Sequence, residues 1–403
     1  MTDVLDALQE ATGGHAAVAG EADVVGGVPA TWVAAPGSTA EAAAVMRTAA
    51  AAGLAVAARG AGTKLDWGTP PRRLDVIVDT GRLDRVIEHA AGDLVVIVQP
   101  GVPLRTLAER LAGARQRLAI DEVVPGSTVG GMLATGLCGP SRLMAGAVRD
   151  LVLGVTLVRA DGVVAKAGGK VVKNVAGYDL AKLVCGAYGT LGLVTEANFR
   201  LHPIPPATAY ASVTVPGAAA AYEAVQRVLH GQFVPSGVEV DRPEPGGPVE
   251  VAVQLEGTEA GVAARTAQAV EALGAGAAET DRPSWWGALP AGEVLVKATT
   301  ELTGLARLLD AVERAGPATV RGSAGVGALH LGMPAAGAAD AVTALRAAAP
   351  AWAGSVVVLA APYPVRSDVD SWGPVPGLSL MRRVKEQFDP DALLAPGRFV
   401  GGI

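Results

Sequence analysis

Residues 168–196 read GGKVVKNVAGYDLAKLVCGAYGTLGLVTE. A glycine pair, a Lys173-Asn174-x-x-Gly177-Tyr178-Asp179 run, a short apolar helix and a Gly189-Thr190-Leu191-Gly192 turn follow one another directly. Glycines of this density mark places where a backbone turns or comes close to something, because no Cβ stands in the way. A plain core segment needs no such combination. The stretch ends in an apolar strand, Leu193–Leu201, and Pro203, Pro205 and Pro206 stop it.

Two earlier loops have the same character. Arg59-Gly60-Ala61-Gly62-Thr63-Lys64 follows an apolar strand, Leu54–Ala58. Pro125-Gly126-Ser127-Thr128-Val129-Gly130-Gly131 leads into a small-residue helix, Met132–Leu137. Such loops point several N–H groups at an anion, and glycine permits the dihedral angles required. The spacing is Gly-x-Gly-Thr, which is neither the dinucleotide GxGxxG nor the Walker GxxxxGK[ST] pattern. Each loop alone reads equally well as an ordinary turn. Two of them, each after a strand and joined by the 168–196 stretch, point to one site for a pyrophosphate.

The rest of the first half alternates short elements. Thr2–Ala11 reads as an amphipathic helix, and Ser38-Thr39-Ala40-Glu41 as a capping box opening a helix to about Ala52. Ala30–Ala35, Asp75–Asp79 and Leu94–Gln99 read as strands. Pro103 reads as the first residue of a helix to Leu111, and Asp161-Gly162 as the turn of a hairpin. Residues 207–376 give two rounds of strand, helix and strand, as expected of an antiparallel sheet with helices on one face. A last helix spans Leu378–Phe388. The predicted domains are 1–206 (core about 28–205), 207–376, and a segment 377–403 returning to the first.

Composition narrows the function classes. The chain has 403 residues, half of them hydrophobic, which suits more than one globular core. A net charge of −6 offers no basic field for nucleic acid. Cys138 and Cys185 form no CxxC and have no histidine cluster beside them, so no metal or iron–sulfur site is expected within the chain, and a reduced, cytoplasmic setting is. The first residues lack the apolar core of a signal peptide. No run is long and apolar enough to span a bilayer, so membrane contact is expected only peripherally, through partner subunits.

Taken together, Arg59–Thr63, Pro125–Gly131, Arg149–Gly154, the 168–196 stretch and Pro396-Gly397-Arg398 resemble the FAD-binding family of vanillyl-alcohol oxidase type, the PCMH-type fold. Within it the likeness is to the FAD-binding subunits of bacterial glycolate oxidase. The resemblance covers 28–205 well and is slight over 207–376. It implies an α+β fold with a split FAD-binding domain and a smaller antiparallel α+β cap. It implies that Arg59, Gly60, Ala61, Gly62, Thr63 and Lys64, with Pro125, Gly126, Ser127, Thr128, Val129, Gly130 and Gly131, hold the FAD pyrophosphate. Ala134, Thr135 and Gly136 would run along the flavin, and Gly189, Gly192 and Val194 along the adenosine side or the middle of the dinucleotide. Tyr178 would sit near the isoalloxazine and is the single catalytic candidate.

Departures from the family pattern carry weight too. Relatives that attach flavin covalently use a His or a Cys where this chain has Ala61 and Val124, which implies non-covalent FAD. Hydroxy-acid-oxidising relatives carry His and acidic residues in a strand region of the second domain. The corresponding Gly322–His330 retains only His330. The resemblance therefore implies an FAD-binding subunit of a glycolate oxidase complex, with a larger FAD-binding catalytic subunit and an iron–sulfur subunit as partners. The alternatives are a stand-alone FAD-dependent oxidase of a small hydroxy acid or alcohol, and a non-catalytic assembly subunit with a vestigial flavin site.

Overall fold

A computed structural model of the chain describes residues 2–170 and 179–403. Toward the N-terminus the helix Thr39–Ala51 packs against two sheets, and the helix Thr2–Ala11 packs on it and on the first of them. The first sheet runs, in spatial order, Ala16–Val18, Trp32–Ala34, Val76–Asp79 and Val56–Arg59, with the last three parallel. The second is antiparallel throughout: Val164–Gly168, Val152–Val158, Leu193–Arg200, Val95–Val98 and Val86–Ala90. Leu193–Arg200 shows the period of two that its sequence predicts, with Leu193, Thr195, Ala197 and Phe199 buried.

Several local expectations shift. Ser38 caps its helix by accepting from the Glu41 N–H at 3.1 Å, but the Glu41 carboxylate reaches Gly37 N–H instead of closing the box. Pro103 is the N-cap of Leu104–Ala112 and not its first residue. The helix expected over Met132–Leu137 is Val129–Thr135, because the Thr128 hydroxyl caps it at the Gly131 N–H. The short apolar helix of the 168–196 stretch is a 3-10 segment, Leu180–Val184.

The chain divides into two compact units. One comprises Met1–Leu137, Ala147–Pro203 and Pro374–Ile403; the other comprises Cys138–Gly146 and Ile204–Gly373. The excursion of 138–146 into the second unit differs from the unbroken 1–206 domain read from the sequence.

The C-terminal segment completes the first unit. Val56 donates to Leu393 O and Ala395 donates to Val56 O, each at 2.7 Å, so the segment pairs along the strand Val56–Arg59. A buried ion pair anchors it. Lys385 Nζ donates to Asp389 Oδ2 at 2.5 Å, Thr190 O at 2.8 Å and Leu394 O at 2.9 Å. Asp389 in turn accepts from the Leu393 and Leu394 N–H groups.

In the second unit one antiparallel sheet of eight strands has the spatial order Ala278–Thr280, Ala207–Val215, Val249–Gly257, Gly237–Arg242, Thr319–Ser323, Ala328–Met333, Val294–Thr299 and Ser355–Ala360. One face is apolar. Val238, Val240, Val251, Val253, Leu329 and Leu331 are fully buried there, packed with Val225, Leu308, Leu309 and Val342 from the helices. The opposite face carries polar side chains. Trp285 and Trp286 lie in the second unit as covering groups: Trp286 is buried edge-on to Tyr210, and Trp285 Nε1 donates to Glu250 at 2.7 Å.

Candidate functional site

Two hollows in the first unit share Ala58, Gly60, Gly131 and Ala134 and so form one trough. At one end lie Ala61, Gly62, Thr63, Lys64, Thr128 and Thr135. At the other lie Arg59, Gly130, Gly189, Gly192 and Val194, with Leu133, Val184 and Leu191 among the apolar walls. Three stretches distant in sequence thus meet in one place. Pro125, Gly126, Ser127, Val129 and Gly136 line neither hollow. Gly126 is exposed, Ser127 and Val129 are buried beneath the loop, and Gly136 is the left-handed C-cap of the helix Val129–Thr135. Tyr178 and Lys173 fall outside the described residues.

The two glycine loops differ in what their amides do. In the second loop the N–H groups of Ser127, Val129, Gly130 and Gly131 donate to Val124 O, Val102 O, Pro100 O and the Thr128 hydroxyl. They are already satisfied, and the expectation that this loop's amides cradle the pyrophosphate is not what the geometry offers. In the first loop, among the described residues, the N–H groups of Ala61, Gly62, Thr63 and Lys64 donate to no protein acceptor. Gly62 has a left-handed φ of 77°, the kind of turn from which anion-binding nests of backbone amides are built.

Charge follows the same division. The Lys64 side chain is buried, and its ammonium donates to Ser127 Oγ at 2.6 Å and Thr63 Oγ1 at 3.0 Å. It makes no ion pair among the described residues. Burial pushes its pKa down to about 8, against a raising influence from Glu122. A buried cation with neutral partners is costly to hold unless an anion arrives. Arg59 is a different case: its guanidinium pairs with Asp23 at 2.5 Å and Asp79 at 2.8 Å, so its charge is spent in fixing the strand end.

Two lining residues escaped the sequence reading. Tyr188 sits at φ 53°, an uncommon conformation for an aromatic residue, and its buried hydroxyl is pushed up to about 12. Arg398, from the far end of the chain, lies 6.0 Å from the Tyr188 ring centre and donates to Leu65 O at 2.9 Å. Both line the trough beside Lys64. The available signals were the Gly-x-Tyr-Gly context of Tyr188 and the Pro-Gly-Arg turn.

Gly60 shows how tightly the loops abut. A Cβ there would stand 2.4 Å from Thr128 Oγ1. Gly60→Ala is expected to lower thermal stability by about 1–3 kcal/mol through overpacking, read as a drop in melting temperature against the unchanged chain.

Among the described residues no group of three His, Cys, Asp or Glu is placed to hold a metal, and no helix is long and apolar enough to cross a membrane. Cys138 and Cys185 are thiols outside any disulfide.

Comparison with known proteins gives this geometry its context. Residues 30–168 match the model of the FAD binding domain family. Glycolate oxidase subunit GlcE of Escherichia coli is 38% identical over 154 residues, covering 37% of this chain and 43% of that protein. Glycolate oxidase subunit GlcD of Bacillus subtilis is 32% identical over 187 residues, 46% of this chain and 40% of that one. D-lactate dehydrogenase of Archaeoglobus fulgidus is 36% identical over 171 residues, 42% and 38% respectively. The matched segment spans less than half the length of each. Among solved structures, p-cresol methylhydroxylase with substrate bound superposes with a TM-score of 0.77 at 16% identity, over 98% of this chain and 96% of that one. An alkyldihydroxyacetonephosphate synthase superposes at 0.69 and 17% identity, over 92% and 77%. Residues 30–168 therefore match an FAD binding domain, and the chain has an α+β fold like that of p-cresol methylhydroxylase.

Proposed function

We propose that this chain is an FAD-dependent oxidoreductase subunit that binds FAD non-covalently in the trough and serves a glycolate oxidase complex. The observation that carries the reading is the first glycine loop. Four successive N–H groups, without protein acceptors among the described residues, line the same hollow as a buried ammonium that has no counter-ion among them. That is the donor set a pyrophosphate needs. The apolar end of the trough, between Leu133, Val184 and Leu191, suits the adenosine half. Ala61 offers no atom for a covalent flavin link. Bound flavin supplies the two-electron oxidation. Lys64 and the amides of Ala61–Lys64 would hold the phosphates, and Leu133, Val184 and Leu191 would exclude water beside the dinucleotide.

The likeness to GlcE and GlcD, both glycolate oxidase subunits, supports a setting with partner subunits, which in this reading are a larger flavin-binding chain and an iron–sulfur chain. The likeness to D-lactate dehydrogenase supports the competing reading of a chain that oxidises a small hydroxy acid alone. Purified protein decides between them. A yellow chain without turnover of glycolate or D-lactate by an artificial acceptor fits the subunit, and turnover by the isolated chain fits the stand-alone enzyme.

Lys64→Met tests the trough. Losing a charge-assisted bond of about 1.5–3 kcal/mol weakens FAD binding roughly 10- to 100-fold. The wild-type affinity is also expected to depend on pH. Phosphate favours the protonated Lys64, whose pKa in the free protein is about 8, so affinity is constant below that value and falls as pH rises through it. Flavin titration of apoprotein from pH 6 to 10 reads both effects. An unchanged Kd, with the same pH profile in the Met variant, places the phosphates elsewhere.

A further inference from the structure

The first unit has a further hollow that the flavin reading does not use. It has a volume of about 340 Å³ and is lined by residues of the 3-10 segment Leu180–Val184 and of the last helix, Leu378–Phe388. Ala187 and Leu191 line both this hollow and the trough, so the two share a wall. The last helix accounts for the hollow. A helix that docks on a core ordinarily turns its apolar stripe inward. Leu378–Phe388 does the reverse: the one residue it buries is Lys385, held by Asp389 and two carbonyls. Leu380 and Met381 stand four and three positions before Val384, and so share a face with it. That face lines the hollow instead of the core. Leu380 is 58% exposed, and Leu180 and Leu183, from the 3-10 segment, are 47% and 40% exposed. Large apolar side chains gathered in water around one concavity mark a surface that something else covers.

Charge beside the hollow narrows what covers it. Arg382 and Arg383 follow Met381 on the same helix and are exposed. Arg382 donates to Gly401 O at 3.2 Å, and neither arginine makes an ion pair among the described residues. Lys182 is already engaged, by Asp179 at 2.9 Å. On a chain of net charge −6, two adjacent arginines without acids beside an apolar hollow are a local exception. A second copy is a poor match, because an isologous contact sets hollow against hollow and arginine against arginine. A bilayer is entered by an apolar face that projects, whereas the apolar side chains here wall a concavity. A helix from another chain has the convex shape required. Its apolar stripe fills such a groove, and acids on its flank meet the arginines.

We propose that this hollow seats a partner chain through an acidic amphipathic helix of about three turns, matched to the length of Leu378–Phe388. Its leucine-like residues at i, i+3, i+4 and i+7 enter the hollow, and its aspartates or glutamates face Arg382 and Arg383. The inference deepens the subunit reading, on which it rests for the existence of a partner. It also gives the last helix two roles on two faces: Lys385 fastens it to its own unit, and Leu380, Met381 and Val384 receive the other chain.

The test titrates the FAD-loaded full chain into a fluorescent helical peptide with leucines at i, i+3, i+4 and i+7 and glutamates on the flanks, read by anisotropy. A second peptide has lysine in place of every glutamate. The acidic peptide is expected to bind roughly tenfold or more tightly than the lysine peptide. Leu380→Asp is expected to weaken it by roughly tenfold or more, and Arg382→Glu/Arg383→Glu to reverse the preference between the two peptides. All three positions are exposed, so flavin absorbance and melting temperature stay at wild-type values. Cys185 lines the hollow and Cys138 does not, so bound acidic peptide is expected to slow maleimide labelling of Cys185 alone. Equal affinity for both peptides, or unchanged binding by Leu380→Asp, overturns the proposal. So does self-association, or sedimentation with phosphatidylserine vesicles, that Leu380→Asp abolishes, since either gives the hollow another occupant. Turnover of glycolate by the isolated chain sinks the subunit reading alone, and failure of the acidic peptide to bind sinks this inference alone.

Discussion

Asp in place of Gly131 is expected to give a folded protein that emerges from purification without flavin. Gly131 occupies the third position of the helix Val129–Thr135, and a Cβ there meets nothing closer than 3.6 Å. Acidic residues favour the first turn of a helix, so the substitution does not threaten the fold. Its Cβ, however, stands 3.7 Å from Lys64 Nζ, which brings the carboxylate it carries within ion-pair reach. It takes the ammonium that the phosphates need and adds a like charge beside them. One such charge at close range is worth about 4 kcal/mol at an effective dielectric near 20, roughly a thousandfold in affinity. Gly131→Asn has the same bulk without the charge, and is expected to retain far more flavin. Flavin absorbance per mole of protein, with circular dichroism as the check on folding, reads the result. Normal flavin content in the Asp variant removes the pyrophosphate from this end of the trough. The companion Gly60→Asp is less informative, because a Cβ at Gly60 already collides with Thr128 and misfolding would give the same colourless protein.

Lys385→Met is expected to be the most destabilising single change away from the trough. Lys385 and Asp389 are 7% and 1% exposed, and their pair joins the last helix to Thr190 and Leu394. Burial pushes the lysine pKa down, and the Asp389 bond opposes that shift. Removing one partner of a buried pair leaves the other charge stranded, at a cost of about 3–5 kcal/mol. For a unit of about two hundred residues this corresponds to roughly 10 °C in melting temperature. The double variant Lys385→Met/Asp389→Leu is expected to recover much of the loss, since two apolar groups strand no charge. A shift of under about 1 kcal/mol in the single variant would mark the pair as solvated and incidental.

The sequence revealed the fold class and the identity of the glycine loops because those signals are local. A left-handed turn needs glycine where it occurs, and the alternation of Leu193–Arg200 is written into consecutive residues. Long-range partners were hidden. Nothing near Arg59 announces that Asp23, 36 positions earlier, takes up its charge. The Ser127–Gly131 amides read as an anion nest until their acceptors, Pro100 and Val102 among them, were in view. The start of the helix at Val129 was legible after all, since Thr128 followed closely by two small residues is a cap signal. The polar face of the second sheet was illegible for a different reason. Its residues come from separate strands, and only register sets His330 beside Lys297 and Arg321.

The return of the C-terminal segment also dictates an order of events during biosynthesis. Arg398 reaches back across 334 positions to bond the carbonyl of Lys64. A ribosome that has made both glycine loops has therefore made an incomplete pocket, and it must translate the whole second unit before the closing wall exists. On the proposed reading of the trough, cofactor capture comes after Arg398 has been made, when the second unit has had time to fold. On that reading, a chain stalled or cleaved before the helix Leu378–Phe388 is expected to be born without flavin.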